Sequence, residues 1–172
     1  MTAAGADRRA EAWRLVGGVL DPEVPVLTVV ELGIVRDVAV DDAGHVTVTV
    51  TPTYSGCPAM RMIEREIVEA LAAGGFADAE VRTVYQPAWT TDWIPAEARE
   101  KLRAYGIAPP GPRAPDTGDD LVPITPRRRA SVACPYCGST DTVLKSEFGS
   151  TACKSTLVCH ACHQPFEQFK GI

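Results

Sequence analysis

Four cysteines near the end of the chain have the spacing of a metal site. They form two C-x-x-C turns with 21 residues between them: Cys134, Cys137, Cys159 and Cys162. Each turn places two thiolates on one tight loop, and zinc takes four such ligands in a tetrahedron. Two stretches between the turns, 142–144 and 155–158, are suited to short strands that would bring the turns together. The spacing predicts a β-hairpin ribbon around one zinc ion.

Zinc is the metal we expect, and three other uses of paired cysteines are the alternatives: an iron site, two disulfides or a redox-active C-x-x-C. No apolar run follows the basic pair near the N-terminus, so we expect no secretion signal and predict a cytoplasmic protein. Thiols stay reduced in the cytoplasm, where paired cysteines bind metal more often than they form disulfides. Four thiolates also close the zinc coordination sphere, which indicates a structural ion.

Three further side chains lie near these turns. Cys153 falls between them, and His160 and His163 flank Cys162. The first hypothesis makes Cys153 a small buried apolar residue and places both histidines on the surface. The alternative makes Cys153 an additional ligand, or makes a histidine an exchange ligand. The sequence favours the first hypothesis.

The remaining cysteine, Cys57, stands alone in the first part of the chain. It precedes Pro58, a residue suited to the first position of the amphipathic helix that follows. A thiol at a helix N-terminus meets the positive end of the dipole and free N–H groups, so we expect a lowered pKa. Such a thiolate binds iron or acts as a nucleophile, and the alternative is a buried structural cysteine. No histidine is placed to act as a base, since His45 falls in a hairpin turn.

Two loops carry the remaining candidate residues. Asp21 and Glu23 follow the first predicted helix, where each alone is best explained as a solvated acid at a helix stop. Trp89, Asp92 and Trp93 form an aromatic loop after a predicted strand. Such a loop is often a docking surface, and the alternative is that the tryptophans cap a small core.

The composition excludes several classes of function. The chain has 172 residues, a net charge of −5 and 45% hydrophobic residues, which is typical of a soluble globular protein. The acidic balance argues against general binding to nucleic acid or anionic membrane, because phosphate binding requires clustered positive charge. No Gly-rich phosphate loop is present, which argues against nucleotide-driven chemistry.

The pattern of elements predicts an α+β fold with a mixed or antiparallel sheet packed by helices, followed by the ribbon. Helical spacing begins near Arg8 and stops at Asp21. Strands are predicted at 34–40, 46–50 and 81–85, and helices after Pro58 and over 95–105. Six prolines and four arginines without apolar periodicity mark 108–130 as a linker. The predicted domains are therefore 1–107 and 131–172.

Three motifs in the first domain resemble the SufT-like family of iron–sulfur assembly domains. The order and spacing agree over roughly residues 8–105, and the motifs are DPEVP (21–25), ELGIV (31–35) and TPTYSGCP (51–58). The ribbon and two further motifs are similar to the PaaD proteins of bacterial phenylacetate degradation; these motifs are QPAWTTDWI (86–94) and FGSTACK (148–154).

The resemblance implies an accessory protein of the phenylacetyl-CoA epoxidase system. The oxygenase and reductase subunits of that system, and the iron–sulfur assembly machinery, would be its partners. It also implies that Cys57 is a functional thiol or a transient ligand of iron or an iron–sulfur cluster, with Asp21 and Glu23 in the nearby loop.

Three functions compete at this point. The first is a non-catalytic assembly factor that loads or repairs a metal centre of the oxygenase. The second is a stable structural subunit of the oxygenase, and the third is an independent thiol redox protein. A homodimer in which two Cys57 residues bridge a cluster is a further hypothesis.

Overall fold

The computed structural model describes residues 3–54, 56–111 and 131–171. The chain divides into two compact units, Met1–Lys101 and Leu102–Ile172. Most of the predicted linker, 112–130, lies outside the described residues.

The first unit contains a three-stranded sheet and two helices, and a third helix begins in it and ends in the second unit. In chain order these elements are α1 (Ala3–Val16), β1 (Val35–Val40), β2 (Val46–Val50), α2 (Met60–Ala73) and β3 (Ala79–Thr83). A turn of 3₁₀ helix, Thr91–Trp93, precedes α3 (Ala96–Tyr105). The strand order is β1-β2-β3, with β1 antiparallel and β3 parallel to β2. The sheet is therefore mixed, and α2 is the crossover that a parallel pair requires.

The core of this unit follows the two periodicities of the sequence. Alternate residues of β2 are fully buried: Val46, Val48 and Val50. The apolar stripe of α2 is buried as well, through Ile63, Ile67 and Leu71. The buried face of β2, with period 2, packs with the buried face of α2, with period 3.6, to form a helix-on-sheet core. This core fixes both ends of the loop between β2 and α2. That loop carries Cys57.

The first helix ends earlier than the sequence pattern predicts. It stops at Val16 instead of Asp21, because Gly17 and Gly18 have low helix propensity. Leu20, which helical spacing places on the apolar face of the helix, is exposed and forms an isolated bridge with Thr28. Asp21 therefore belongs to a loop, and its role is not that of a helix stop.

The second unit contains a four-stranded sheet of order β4-β7-β6-β5. Its strands are β4 (Ile107–Ala108), β5 (Thr142–Ser146), β6 (Lys154–Cys159) and β7 (Pro165–Phe169). The β5–β6 hairpin was predicted, whereas β4 and β7 were not. Because β4 pairs with β7, residues 107 and 108 belong to the ribbon sheet, although the predicted boundary places 107 in the first domain.

No helix in the parts of the chain that the structure describes is both long enough and apolar enough to cross a membrane.

Candidate metal centre and thiol site

The four cysteines of the two C-x-x-C turns come together as one group, which we call the four-cysteine cluster. Their Sγ atoms all lie within 4.8 Å of one another. Two contacts join one turn to the other, with 3.7 Å from Cys134 to Cys162 and 3.6 Å from Cys137 to Cys159. A tetrahedron with metal–sulfur bonds of about 2.3 Å has sulfur separations of about 3.8 Å. These distances suit a tetrahedral metal site and exceed the roughly 2.05 Å of a disulfide.

The two turns have matching backbones. In the first turn the N–H of Cys134 donates to the carbonyl of Ser139, and in the second the N–H of Cys159 donates to that of Gln164. The residue after each turn has a left-handed backbone, with φ of 74° at Gly138 and 60° at His163. Two similar loops thus each present a pair of thiols, and His163 occupies a position where glycine is the usual residue.

Four thiols at this spacing cannot all ionise unless a cation balances their charge. The N–H of Cys162 is the main reason that the pKa of Cys159 falls to about 7, although burial opposes it. The N–H of Ser139 lowers the pKa of Cys137, but burial and the neighbouring thiols outweigh it and raise that pKa to about 12. Binding of a metal cation therefore has to displace protons, and the site weakens at low pH.

The nearby Cys153 and histidines do not join the cluster. Cys153 precedes β6 and Cys159 ends it, so about 20 Å of strand separates them at roughly 3.3 Å per residue. The Sγ of Cys153 is buried and lies 3.1 Å from the Oγ1 of Thr151. The Nδ1 of His160 lies 3.1 Å from a carboxylate oxygen of Asp141. The hypothesis that Cys153 is an additional ligand of this cluster is therefore wrong.

Cys57 lies in the loop between β2 and α2, half-buried. Its backbone N–H donates to the carbonyl of Tyr54 at 3.0 Å. The N–H of Met60 donates to the backbone carbonyl of Cys57 at 3.4 Å, and the N–H groups of Ala59 and Met60 at the start of α2 are near enough to the sulfur to lower the pKa of the thiol. Ala59 is the N-cap of the helix and has no side-chain oxygen to take these donors. The thiol of Cys57 therefore lies at a helix N-terminus whose first N–H groups have no side-chain cap at the N-cap residue.

The pKa of this thiol moves opposite to the sequence prediction. Half-burial raises the pKa of Cys57, and the charges of Glu23 and Asp21 raise it further. The N–H groups of Ala59 and Met60 lower it, but by less. The expectation of a lowered pKa is therefore wrong, because desolvation and like charge outweigh the helix N-terminus. A protonated thiol at neutral pH is a poor nucleophile.

Asp21 and Glu23 lie close enough to Cys57 to affect its charge. Asp21 is 6% exposed, and its Oδ1 accepts the N–H groups of Glu23 at 2.8 Å and of Val24 at 2.7 Å. Its carboxylate thus shapes the loop, contrary to the prediction of a solvated acid. Within the described ranges the four-cysteine cluster is the only close group of three or more metal-binding side chains. Cys57, Asp21 and Glu23 therefore form an electrostatic neighbourhood and not a preformed coordination site.

The aromatic loop divides into a core residue and surface residues. Trp89 is buried, and its Nε1–H donates to the carbonyl of Leu32 at 2.9 Å. It cannot be part of a docking surface as predicted, because it anchors the loop to the core. Trp93 is partly exposed, with the guanidinium of Arg36 stacked 3.4 Å from its ring centroid, and Asp92 is exposed. A docking role for these two residues stays a prediction.

The ribbon also contains an ion pair between a buried lysine and a partly buried glutamate, which the sequence patterns did not reveal. Lys154, which is 4% exposed, pairs with Glu167 at 3.0 Å. The sequence does contain a sign of this pair, because Lys154 is the one charged residue at the start of an otherwise uncharged strand, 154–159.

Comparison with known proteins decides the family. The family model of the PaaD zinc beta ribbon domain matches residues 119–170, and that of the iron–sulfur cluster assembly protein matches residues 9–83. An Escherichia coli protein that is named as a subunit of 1,2-phenylacetyl-CoA epoxidase is 46% identical over 94% of this chain and 92% of its own length. The chain belongs to the PaaD family.

The first unit of this PaaD-family chain also has relatives that stand alone. A Bacillus subtilis protein named "Fe-S protein maturation auxiliary factor YitW" is 43% identical over 49% of this chain and 82% of its own length. The crystal structure of a domain of unknown function, DUF59, from Bacillus anthracis matches with a TM-score of 0.54 and 26% identity. It covers 58% of this chain and 94% of the DUF59 chain. The chain thus joins a domain of the iron–sulfur cluster assembly protein family to a PaaD zinc beta ribbon domain.

Proposed function

We propose that this PaaD-family chain is a non-catalytic accessory factor of a phenylacetyl-CoA epoxidase system. It acts in the maturation or loading of the iron–sulfur or iron centres of that system. Two kinds of relative support the proposal, since the one that matches both units is named as an epoxidase subunit and the one that matches the first unit is named as a maturation factor.

The position of Cys57 is the observation that carries the proposal. It is the only cysteine of the first unit, and its half-buried sulfur lies at the start of α2, near enough to Asp21 and Glu23 to feel their charges. A single thiol cannot hold a cluster by itself, so Cys57 would act as a transient ligand whose remaining partners come from another molecule. When cationic iron arrives as cargo, the thiol gives up its proton, and the charges of Asp21 and Glu23 then favour the bound cation.

The four-cysteine cluster would hold one structural zinc ion. Its sulfur spacing fits zinc–thiolate bonds, and all four ligands come from this chain. Bound zinc supplies folding free energy to a sheet with a small core. With no open coordination position it has no catalytic role. The zinc site therefore has a structural role, with the ligands Cys134, Cys137, Cys159 and Cys162. We assign the transient binding of iron to Cys57.

Metal analysis of protein purified without oxygen tests the thiol assignment. We expect one zinc per chain in the wild type, in Cys57→Ser and in Cys153→Ala. After incubation with ferrous iron, sulfide and a small thiol that supplies the remaining ligands, the wild type and Cys153→Ala should retain more iron than Cys57→Ser. Equal iron retention by Cys57→Ser would show that Cys57 is not the ligand.

A stable structural subunit is the second candidate, because the relative that matches both units is itself named as a subunit. In that case Cys57→Ser would be tolerated, and the chain would co-purify with the catalytic subunits in fixed stoichiometry. An independent thiol enzyme has less support, since the raised pKa of Cys57 works against a nucleophile.

A further inference from the structure

The connection between β5 and β6, residues 147–153, is held in one conformation by a carboxylate from β7. We call this connection the hairpin tip. The carboxylate of Glu167 accepts the backbone N–H of Ser150 at 2.5 Å and its hydroxyl at 3.1 Å. It also pairs with the Nζ of Lys154 at 3.0 Å, and the Lys154 side chain is only 5% exposed. Three donors therefore fix one carboxylate beneath the tip.

This arrangement fixes the conformation of the tip more than it adds to the stability of the fold. Burying an ion pair carries a desolvation penalty, and an apolar pair of similar size would often stabilise the fold as well or better. Gly149 shows how closely the tip fits, because a Cβ there would lie 2.5 Å from a carboxylate oxygen of Glu167. The tip is thus packed against its polar support without space for a side chain at that position.

Lys170 holds the other side of the hairpin tip, where the ring of Phe148 stays exposed to solvent. Its backbone N–H donates to the carbonyl of Cys153 at 2.9 Å, and its Nζ donates to that of Ala152 at 2.8 Å. The same Nζ lies 4.5 Å from the ring centroid of Phe148. Phe148 is nevertheless 68% exposed, more than any other large hydrophobic residue in the described ranges.

An exposed ring on a rigid loop has the properties of a binding anchor. Aromatic side chains dominate interface energies when a partner's pocket desolvates them, and a preformed loop loses little entropy on binding. Lys170 places a positive charge against the ring, and the same hairpin also exposes Lys145 and Glu147. The charge of Lys170 contrasts with the chain's net charge of −5. A matching pocket is therefore apolar with an acidic rim.

We propose that the hairpin tip is a protein-docking element, in which Phe148 inserts into an apolar pocket with a carboxylate rim on a catalytic subunit of the epoxidase. The assignment of that partner rests on the proposed function. The docking element lies in the ribbon, so its effect on binding is separable from the iron chemistry of Cys57.

Binding of the full chain to the purified catalytic subunits, measured by biolayer interferometry, tests the proposal. Phe148→Ala should weaken binding by at least about tenfold, as expected for an anchor. Tyr85→Ala, which removes another solvent-facing ring, from the first unit, should leave the affinity within about twofold. Binding by the wild type should also weaken as salt concentration rises, because lysines face carboxylates.

The outcomes separate the two proposals. If the wild type binds and Phe148→Ala binds equally well, with unchanged zinc content and circular dichroism, the docking element is wrong and the proposed function stands. If the wild type does not bind, the assigned partner is wrong. If Phe148→Ala abolishes binding while Cys57→Ser retains as much iron as the wild type, the docking element stands and the thiol assignment fails.

Discussion

The backbone carbonyl of Cys57 accepts the N–H of Met60, the first residue of α2, at 3.4 Å. The thiol therefore lies at the start of the helix, and its sulfur is also half-buried and near the charges of Asp21 and Glu23. Burial and the charges of Asp21 and Glu23 raise the pKa of this thiol, so it is protonated at neutral pH. This suits a ligand that becomes a thiolate only when a metal cation takes the place of the proton.

Neutralising the loop acids should make Cys57 more reactive. Removing the charge of Asp21 or Glu23 lowers the penalty on the thiolate, so its pKa falls and more thiolate is present at pH 8. Asp21→Asn and Glu23→Gln should each increase the rate of iodoacetamide alkylation at Cys57, measured by peptide mass spectrometry. Glu69→Gln, on the exposed face of α2, is the control. Unchanged or slower alkylation in both loop variants would contradict the electrostatic account.

His163 should be replaceable by glycine without loss of metal. Its backbone is left-handed, like that of Gly138 in the other turn, and a non-glycine residue there costs about 1 kcal/mol. His163→Gly should therefore keep its zinc and hold or raise the thermal stability, whereas Gly138→Ala should lower it. Loss of zinc from His163→Gly would instead make the histidine a ligand.

Chelation should affect the two units differently. The ribbon sheet has a small core around Cys134, Cys159, Leu157 and Phe166, so it depends on the metal. Hydrogen exchange after EDTA treatment should lose protection in β5, β6 and β7 and keep it in β1–β3 and α2. Protection of the ribbon that survives complete zinc removal would refute the structural role of the ion.

Removing the charge of Glu167 should loosen the hairpin tip. Glu167→Gln removes the carboxylate that pairs with the buried Lys154 at 3.0 Å, and breaking a buried pair destabilises a protein by up to about 3 kcal/mol. Glu69→Gln removes an exposed pair and should cost no more than about 0.5 kcal/mol. Urea unfolding of the two variants at pH 7 gives the comparison. Similar stabilities would show that the buried pair contributes nothing.

The contribution of Glu167 should also depend on pH in one direction. Burial raises its pKa, but the hydrogen bonds from Ser150 and Lys154 outweigh this and lower it below the usual value. A lowered folded-state pKa stabilises the protein above the unfolded pKa of about 4.3, and that gain is lost as pH falls through the folded pKa. The difference between wild type and Glu167→Gln should therefore be constant near neutrality and shrink only in acid.

Local patterns were enough to predict part of this molecule. Alternating valines indicated β2, and two C-x-x-C turns at hairpin spacing indicated the four-cysteine cluster, because both signals lie within short segments. β7 was missed, since a short strand that begins with proline gives little alternation. Trp89 was misplaced because its partner, the carbonyl of Leu32, lies 57 residues away. The predicted direction of the Cys57 pKa shift was wrong for the same reason, since burial and the charges of a loop distant in sequence determine that pKa.

The iron content and activity of the epoxidase test the central claim most directly. The catalytic and reductase subunits would be produced together with wild-type chain, with Cys57→Ser or with Cys153→Ala, and then purified for iron analysis and turnover of phenylacetyl-CoA. We predict low iron and low activity with Cys57→Ser alone, although that variant keeps its zinc and its fold. Full iron content and activity with Cys57→Ser would contradict a role for this thiol in metal-centre maturation.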